Sequence, residues 1–391
     1  MSASAPPRRS RLRALDGLRF LAAAAVLMYH FTGIRTAFWG TAPTQEFSGL
    51  NHLTRYGFLG VQLFFVISGF VILMTAYGRP VTAFTASRVA RLFPAYWAAI
   101  IATVVLQAFW SAGRQPSKLD SLVNLTMLQG AWDAMDVQGA FWTLWYELKF
   151  YLLIGVFILV GITRRRIIAF AVLWPLVGQL AHATHSGMLD SLLIPTYAPY
   201  FAAGILLFLL YRDGNDVVVW LGLGLTTILA AQQAHDYASR ASKLVGAPVS
   251  STVCAAAVVA MIAAIWACTC GPLRDLDWRF LSVLGALTYP LYLIHGQFGF
   301  FVIDQLHGSL NKWVVLALAT LLALALAVVL HYAVENRVHD PLRAAVNRAL
   351  EDVPVRERVA TRAPRAETPT APPPDETSPA PTESPVPATG R

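Results

Sequence analysis

The chain has 391 residues, 56% of them hydrophobic and 13% charged, about half the charged share of a soluble globular domain. Long uncharged runs, such as 253–267 and 313–330, exclude an array of soluble domains and indicate a polytopic membrane protein. The net charge of +8 is read as positive-inside bias and not as a nucleic-acid footprint, so no nucleic-acid partner is expected.

The reading is an all-α bundle of about ten transmembrane helices. After a basic arm over residues 1–13, spans are predicted at 15–33, 57–77, 91–110, 142–161, 166–184, 190–211, 217–234, 249–270, 281–303 and 313–334. Pro175, Pro195 and Pro199 make the fifth to seventh the hardest to bound. The first segment contains Arg19 and lacks a convincing cleavage site, so it reads as a retained helix and not a removed signal peptide. Ten spans place both termini on one side. That side carries 13 basic residues in its short loops and N-terminal arm (Arg8 to Arg13, Arg79, Arg88, Arg91, Arg164 to Arg166, Arg212, Arg274 and Arg279), against seven on the other. Both termini are therefore expected in the cytoplasm, and the expected location is the inner (plasma) membrane. Cys254, Cys268 and Cys270 share one predicted span and read as packing residues, and no metal site is expected. The 111–141 loop is long enough for a lid or a short interfacial helix. Residues 337–362 read as a cytoplasmic segment with helical character. Residues 363–391 read as a disordered tail, with nine prolines between Pro364 and Arg391.

Chemistry begins in the first span. Asp16, Arg19 and His30 are costly in hydrocarbon, on the order of 2.5–3.5 kcal/mol for Asp or Arg at mid-depth. Arg19 and His30 are eleven residues apart, so on a straight α-helix they share a face about 16 Å apart along the axis. The other spans are therefore expected to assemble around this helix. His30 suits a general base, although a lone histidine bonded to a carbonyl is a common structural device.

In the second span Gly57, Gly60 and Gly69 permit close helix approach, and Ser68 can bond across helices. Arg88 and Arg91 share a helical face at the mouth of the third span, as positive-inside anchors or as a clamp for a phosphorylated donor. Trp142, Trp145 and Tyr146 suit the aromatic belt. Glu147 lies at the depth inferred for His30 and is expected to orient it. A local pair with Lys149 is disfavoured because i and i+2 do not face each other. Tyr289, Tyr292 and His295 repeat every three residues in the ninth span. Their polar face points to a cavity at the same layer, with Ser68 as a further lining candidate.

These segments, in this order, resemble acyltransferase family 3, the bacterial integral-membrane acyltransferases typified by O-antigen acetylases. The resemblance rests on Leu15-Asp-Gly-Leu-Arg19 with His30, Leu63-Phe-Phe-Val-Ile-Ser-Gly-Phe70, Arg88-x-x-Arg91 with Pro94 and Tyr96, and Trp142-Thr-Leu-x-x-Glu147-x-x-Phe-Tyr151. It continues with Tyr289-x-x-Tyr292-Leu-x-His295 and the Tyr332–Asn336 region containing Glu335. It covers residues 14–336, read as the transmembrane acyltransferase domain. The departure is Asn336-Arg337, where the family usually has proline after the glutamate. No fused soluble domain of the kind some relatives carry is expected.

The resemblance implies transfer of an acyl group, most often acetyl from acetyl-CoA, to a hydroxyl, usually on a sugar. Catalytic roles for Arg19 and His30 follow, with support from Arg88, Arg91 and Glu147. The expected mechanism places the donor phosphates near Arg88 and Arg91 and uses His30 as base. Arg19, paired with Asp16, polarises the donor. Partners would be acyl-CoA, membrane lipid and a hydroxyl-bearing glycan, glycosylated or macrolide acceptor. No bound cofactor is expected. The alternative is a transporter carrying a polar or acidic solute past the same His and Arg groups.

Overall fold

The computed structural model describes residues 12–351, and every regular element in that range is helical. In chain order these are α1 (Arg13–Met28), α2 (Pro43–Glu46), α3 (Ser48–Thr54), α4 (Leu59–Ala76), α5 (Val81–Phe109) and α6 (Lys118–Asn124). Then come α7 (Trp142–Val160), α8 (Arg164–Ala183), α9 (Gly187–Leu193), α10 (Ala198–Asp213) and α11 (Val217–Val245). The last four are α12 (Ser251–Thr269), α13 (Arg279–Leu306), α14 (Lys312–Val329) and α15 (Asn336–Glu351). Ten helical stretches are long and apolar enough to cross a membrane, and each overlaps one predicted span. The Pro-rich tail and residues 1–11 of the basic arm lie outside the described residues. Arg13 already belongs to α1 and pairs with Asp277.

The centre of the bundle is α4 packed on α10, and not α1. Every residue of α10 from Ala198 to Leu210 is buried. The physical reason is apolarity on all sides, which suits a helix surrounded by protein, whereas α1 keeps one side outward, with Leu21 63% exposed. Glycines allow the closest crossings. A methyl at Gly69 would lie 2.1 Å from the Phe201 carbonyl oxygen of α10, and one at Gly57 would lie 2.2 Å from that of Ala25 in α1. Gly60 meets Ala22 in the same way, as the small-residue rule for membrane helices anticipates.

Two helices carry π turns. Residues Tyr29–Gly33 widen the end of α1, and Leu330–Glu335 join α14 to α15. The first breaks the straight-helix expectation: His30 sits on the wider turn, rotated from the face that regular α geometry would give it. The turn is held from below by α3 and its approach loop. Asn51 donates to the carbonyls of Thr32 and Gly33, Trp39 Nε1 donates to that of Phe31, and the Thr32 and Thr54 hydroxyls bond at 3.0 Å. These contacts satisfy carbonyls that the end of a helix leaves open.

The 111–141 loop contains α6, closed by a capping box between Ser117 and Asp120. Asn124 ties it together, donating to the carbonyls of Asp120 and Met135 and accepting from Val137 N. The three cysteines are unpaired on and just after α12. The helix α15 packs along α5, so the described part of the 337–362 segment is helical.

Candidate active site

A cavity with about 800 Å³ of empty space opens among α1, α4, α5, α7 and α13. Its polar wall comprises Arg19, Ser68, Arg88, Arg91, Glu147, Tyr151, Tyr289 and Tyr292. Its apolar wall includes Val61, Phe64, Phe65 and Leu92. Three arginines converging on one apolar chamber need a shared reason, because each carries a desolvation cost.

The three differ in how far they are already engaged. Arg91 pairs with Glu335, a buried carboxylate 244 residues away that also bonds His331 Nδ1 at 2.8 Å. Tyr289 lies 5.8 Å below the Arg91 guanidinium and donates its hydroxyl to the Leu92 carbonyl at 3.0 Å. Among the described residues Arg88 donates to the neighbouring Ser87 hydroxyl alone, at 3.1 Å, and its buried Nε has no hydrogen-bond partner. Arg19 feels the charges of Arg91, Asp16 and Glu147. No carboxylate comes within ion-pairing distance of it among the described residues. Asp16 packs against Gly285 of α13, where an added methyl would meet its Cβ at 2.5 Å. Asp16 is therefore beside the cavity and not in its wall, and the expected close pair with Arg19 is not formed. Arg88 and Arg91 lie two to three turns inside α5, which begins at Val81, ten residues before the predicted span.

Glu147 corrects a second expectation. Its carboxylate accepts from Tyr151 at 2.5 Å, one helical turn on, and from Ser68 at 3.2 Å. It does not reach His30. The partner of His30 is His295, whose Nε2 lies 3.0 Å from His30 Nδ1. The tautomers follow from the surroundings. His295 Nδ1 faces the carbonyls of Leu291 and Tyr292, both at 3.0 Å, so it carries a proton, and its Nε2 is then an acceptor. His30 Nδ1 faces that acceptor and the Val26 carbonyl at 2.9 Å, so it too carries its proton. Among the described residues His30 Nε2 has no partner, so its lone pair is open, the form a general base requires.

The cavity walls include Ser68, Tyr289 and Tyr292, as expected, but not His295 or His30. The histidine pair stands next to the chamber. Tyr292 is the bridge: its ring lines the cavity and lies 5.9 Å from that of His295. Its hydroxyl is held by Thr143 at 2.7 Å and by the Ala140 carbonyl at 3.1 Å. Sequence reasoning quotes Tyr151 and Glu335 within the motifs without giving either a role. The signal for Glu335 was present, since His331 and Glu335 are an i,i+4 ionisable pair in an otherwise apolar span. Among the described residues no group of three or more His, Cys, Asp or Glu side chains is placed to hold a metal ion.

Comparison with known proteins agrees with this architecture. The chain is 30% identical over 378 residues to "Acyltransferase MdmB" of Streptomyces mycarofaciens, covering 85% of this chain and 92% of that one. It is 27% identical to "Putative membrane-bound transacylase BcsY" of Komagataeibacter xylinus, over 81% of each chain. A shorter match, 26% identical, covers 37% of this chain and 24% of "Putative peptidoglycan O-acetyltransferase YrhL" of Bacillus subtilis. No solved structure matches. The family model described as "Acyltransferase domain" matches residues 12–332, all ten spans but the end of the last, and the chain belongs to this family of multi-pass membrane acyltransferases, acyltransferase family 3.

Proposed function

We propose that the protein transfers an acyl group, acetyl by default, from acyl-CoA to a hydroxyl of a sugar-bearing acceptor, in the bacterial inner membrane with both termini in the cytoplasm. The observation that carries this reading is the open Nε2 of His30, fixed by His295 beside a chamber lined by three arginines.

The donor's phosphates are anions of the kind guanidinium groups recognise. Arg88 and Arg19 have unspent capacity for them, while Arg91 is held in place by Glu335. The chamber's apolar wall suits the donor's pantetheine arm and acyl group. In the reaction, His30 Nε2 accepts the acceptor's hydroxyl proton as that oxygen attacks the thioester carbonyl. The tetrahedral intermediate collapses with loss of the CoA thiolate. The sulfur takes back the proton held on His30, so that an ester and free CoA thiol result. Arg19 stabilises negative charge as it develops. Tyr292 closes the gap between chamber and base. Ser68 and Tyr151 hold the Glu147 carboxyl group in the chamber wall.

The test is a thiol-release assay on purified full-length protein with acetyl-CoA and a panel of sugar and macrolide acceptors. Wild type should release CoA only when an acceptor is present, and His30→Ala should lose about 10²–10⁴-fold in rate. Wild-type rates in His30→Ala would remove the base from this scheme.

A further inference from the structure

A second cavity, with about 990 Å³ of empty space, lies at the N-terminal end of α7. It is bounded by residues 129–136 of the long loop, the first two turns of α7, and residues 190–196 at the end of α9 and just after it. The acyltransfer scheme makes no use of it. On α7, Trp142, Trp145, Tyr146 and Lys149 follow i, i+3, i+4, i+7 spacing and share one face. Thr143, Leu144, Glu147 and Tyr151, which wall the reaction chamber, take the opposite face. The two cavities are therefore separated by the thickness of this helix.

The aromatic groups here pack on one another. Trp142 and Tyr146 meet edge to face at 5.8 Å, and Tyr197 braces both, at 5.8 and 4.7 Å. The wall is thus rigid before any ligand arrives, which lowers the cost of binding to it. Trp142 remains 37% exposed. Across from it stand Asp133, exposed and without a partner among the described residues, and Asp136, whose Oδ1 is buried with no hydrogen-bond partner. A buried carboxylate oxygen left unsatisfied calls for a donor from elsewhere. The remaining charges are already engaged. Asp190 bonds His182 at 2.6 Å. Lys149 donates to the Ser191 carbonyl at 2.8 Å and lies over the Trp145 and Tyr146 rings.

A rigid aromatic face opposite open carboxylates matches a sugar ring, whose C–H face packs on an indole while its hydroxyls donate to the carboxylates. We propose that this pocket is a carbohydrate subsite, separate from the reaction chamber, that holds a neutral or amino hexose unit of the acceptor. Acidic sugars are excluded by the exposed carboxylate of Asp133. The inference rests on the acceptor being sugar-bearing, and binding can be read without turnover.

The probes are methyl glucoside, methyl glucosaminide and methyl glucuronide, titrated into full-length protein in nanodiscs and followed by calorimetry and saturation-transfer NMR. Saturable binding is expected for the first two and not for the third. Trp142→Ala should weaken it about tenfold, Trp142→Phe should largely restore it, and Asp133→Asn, an exposed change, should weaken it severalfold. His30→Ala should leave it unchanged. No binding by the neutral and amino glycosides would overturn the proposal. So would binding insensitive to Trp142→Ala and Asp133→Asn, or binding lost in His30→Ala. Failure of wild type to release CoA with any acceptor would instead refute the acyltransfer reading, while leaving the binding result to stand by itself.

Discussion

Replacing His295 with leucine removes the acceptor 3.0 Å from His30 Nδ1 and leaves the Val26 carbonyl at 2.9 Å. The proton on His30 Nδ1 then keeps one of its two acceptors. One hydrogen bond contributes about 1–1.5 kcal/mol net, and each 1.36 kcal/mol is a factor of ten in rate. The expected loss is therefore about five- to tenfold, far smaller than the loss from removing His30 itself. It should fall on kcat and leave the donor KM unchanged, because His295 is not in the chamber wall. His295→Gln places an amide oxygen near the lost acceptor and should recover most of the rate. Acyl-CoA-dependent ester formation, measured with thermal unfolding in parallel, separates a change of tautomer from a change of fold. A wild-type kcat in His295→Leu, a loss expressed in donor KM, or no recovery in His295→Gln would each refute the tautomer argument.

The two arginines of α5 should separate by stability. Arg91→Gln leaves the buried Glu335 with His331 alone, so it should cost up to about 3 kcal/mol of stability as well as donor affinity. Arg88→Gln breaks a bond to Ser87 and a contact with the Phe84 ring but no ion pair, and should weaken donor affinity with a smaller thermal effect than Arg91→Gln; calorimetric unfolding and acyl-CoA titration of both variants check this. Gly204→Ala would place a methyl 2.0 Å from the Val66 carbonyl at the α4–α10 crossing and should destabilise by about 1–3 kcal/mol. Gly224→Ala, with nothing within 4 Å, should be neutral or slightly stabilising in the same unfolding experiment. In the long loop, the Ser117 hydroxyl and the backbone N–H groups of Ser117 and Met135 hold the Asp120 carboxyl below the usual carboxylate range. A folded pKa below the unfolded one means that this contribution is complete above ordinary carboxylate pKa values and is lost as pH falls through the lowered value. Amide exchange at Met135 should accelerate over that acid range, and Asp120→Asn should flatten the dependence. Burial pushes the Asp136 carboxyl up, so its own contribution has the opposite sign and fades as pH rises.

The ten spans were legible in the sequence because the length and apolarity a bilayer demands are local properties of the chain. The same locality explains why Arg19, Arg88, Arg91, Glu147, Ser68, Tyr289 and Tyr292 could be singled out, because ionisable and polar groups on apolar helices must turn toward protein; that these seven share one chamber, and that His30 and His295 stand outside its wall, was not readable from the chain. Which groups touch was not legible. Glu147 took Ser68 and Tyr151, His30 took His295, and Arg91 took a glutamate 244 residues away. A side chain's partner depends on how far its helix is rotated and how deep it sits, and both are set by packing against neighbouring helices. The π turn at Tyr29–Gly33 changed the rotation of His30, and the small residues of α4 and α10 made those helices the centre. The sequence by itself determined a membrane bundle with a costly polar interior. Only the tertiary structure decided that His30 is held by a second histidine, because the two lie on different helices whose relative rotation and depth are set by packing.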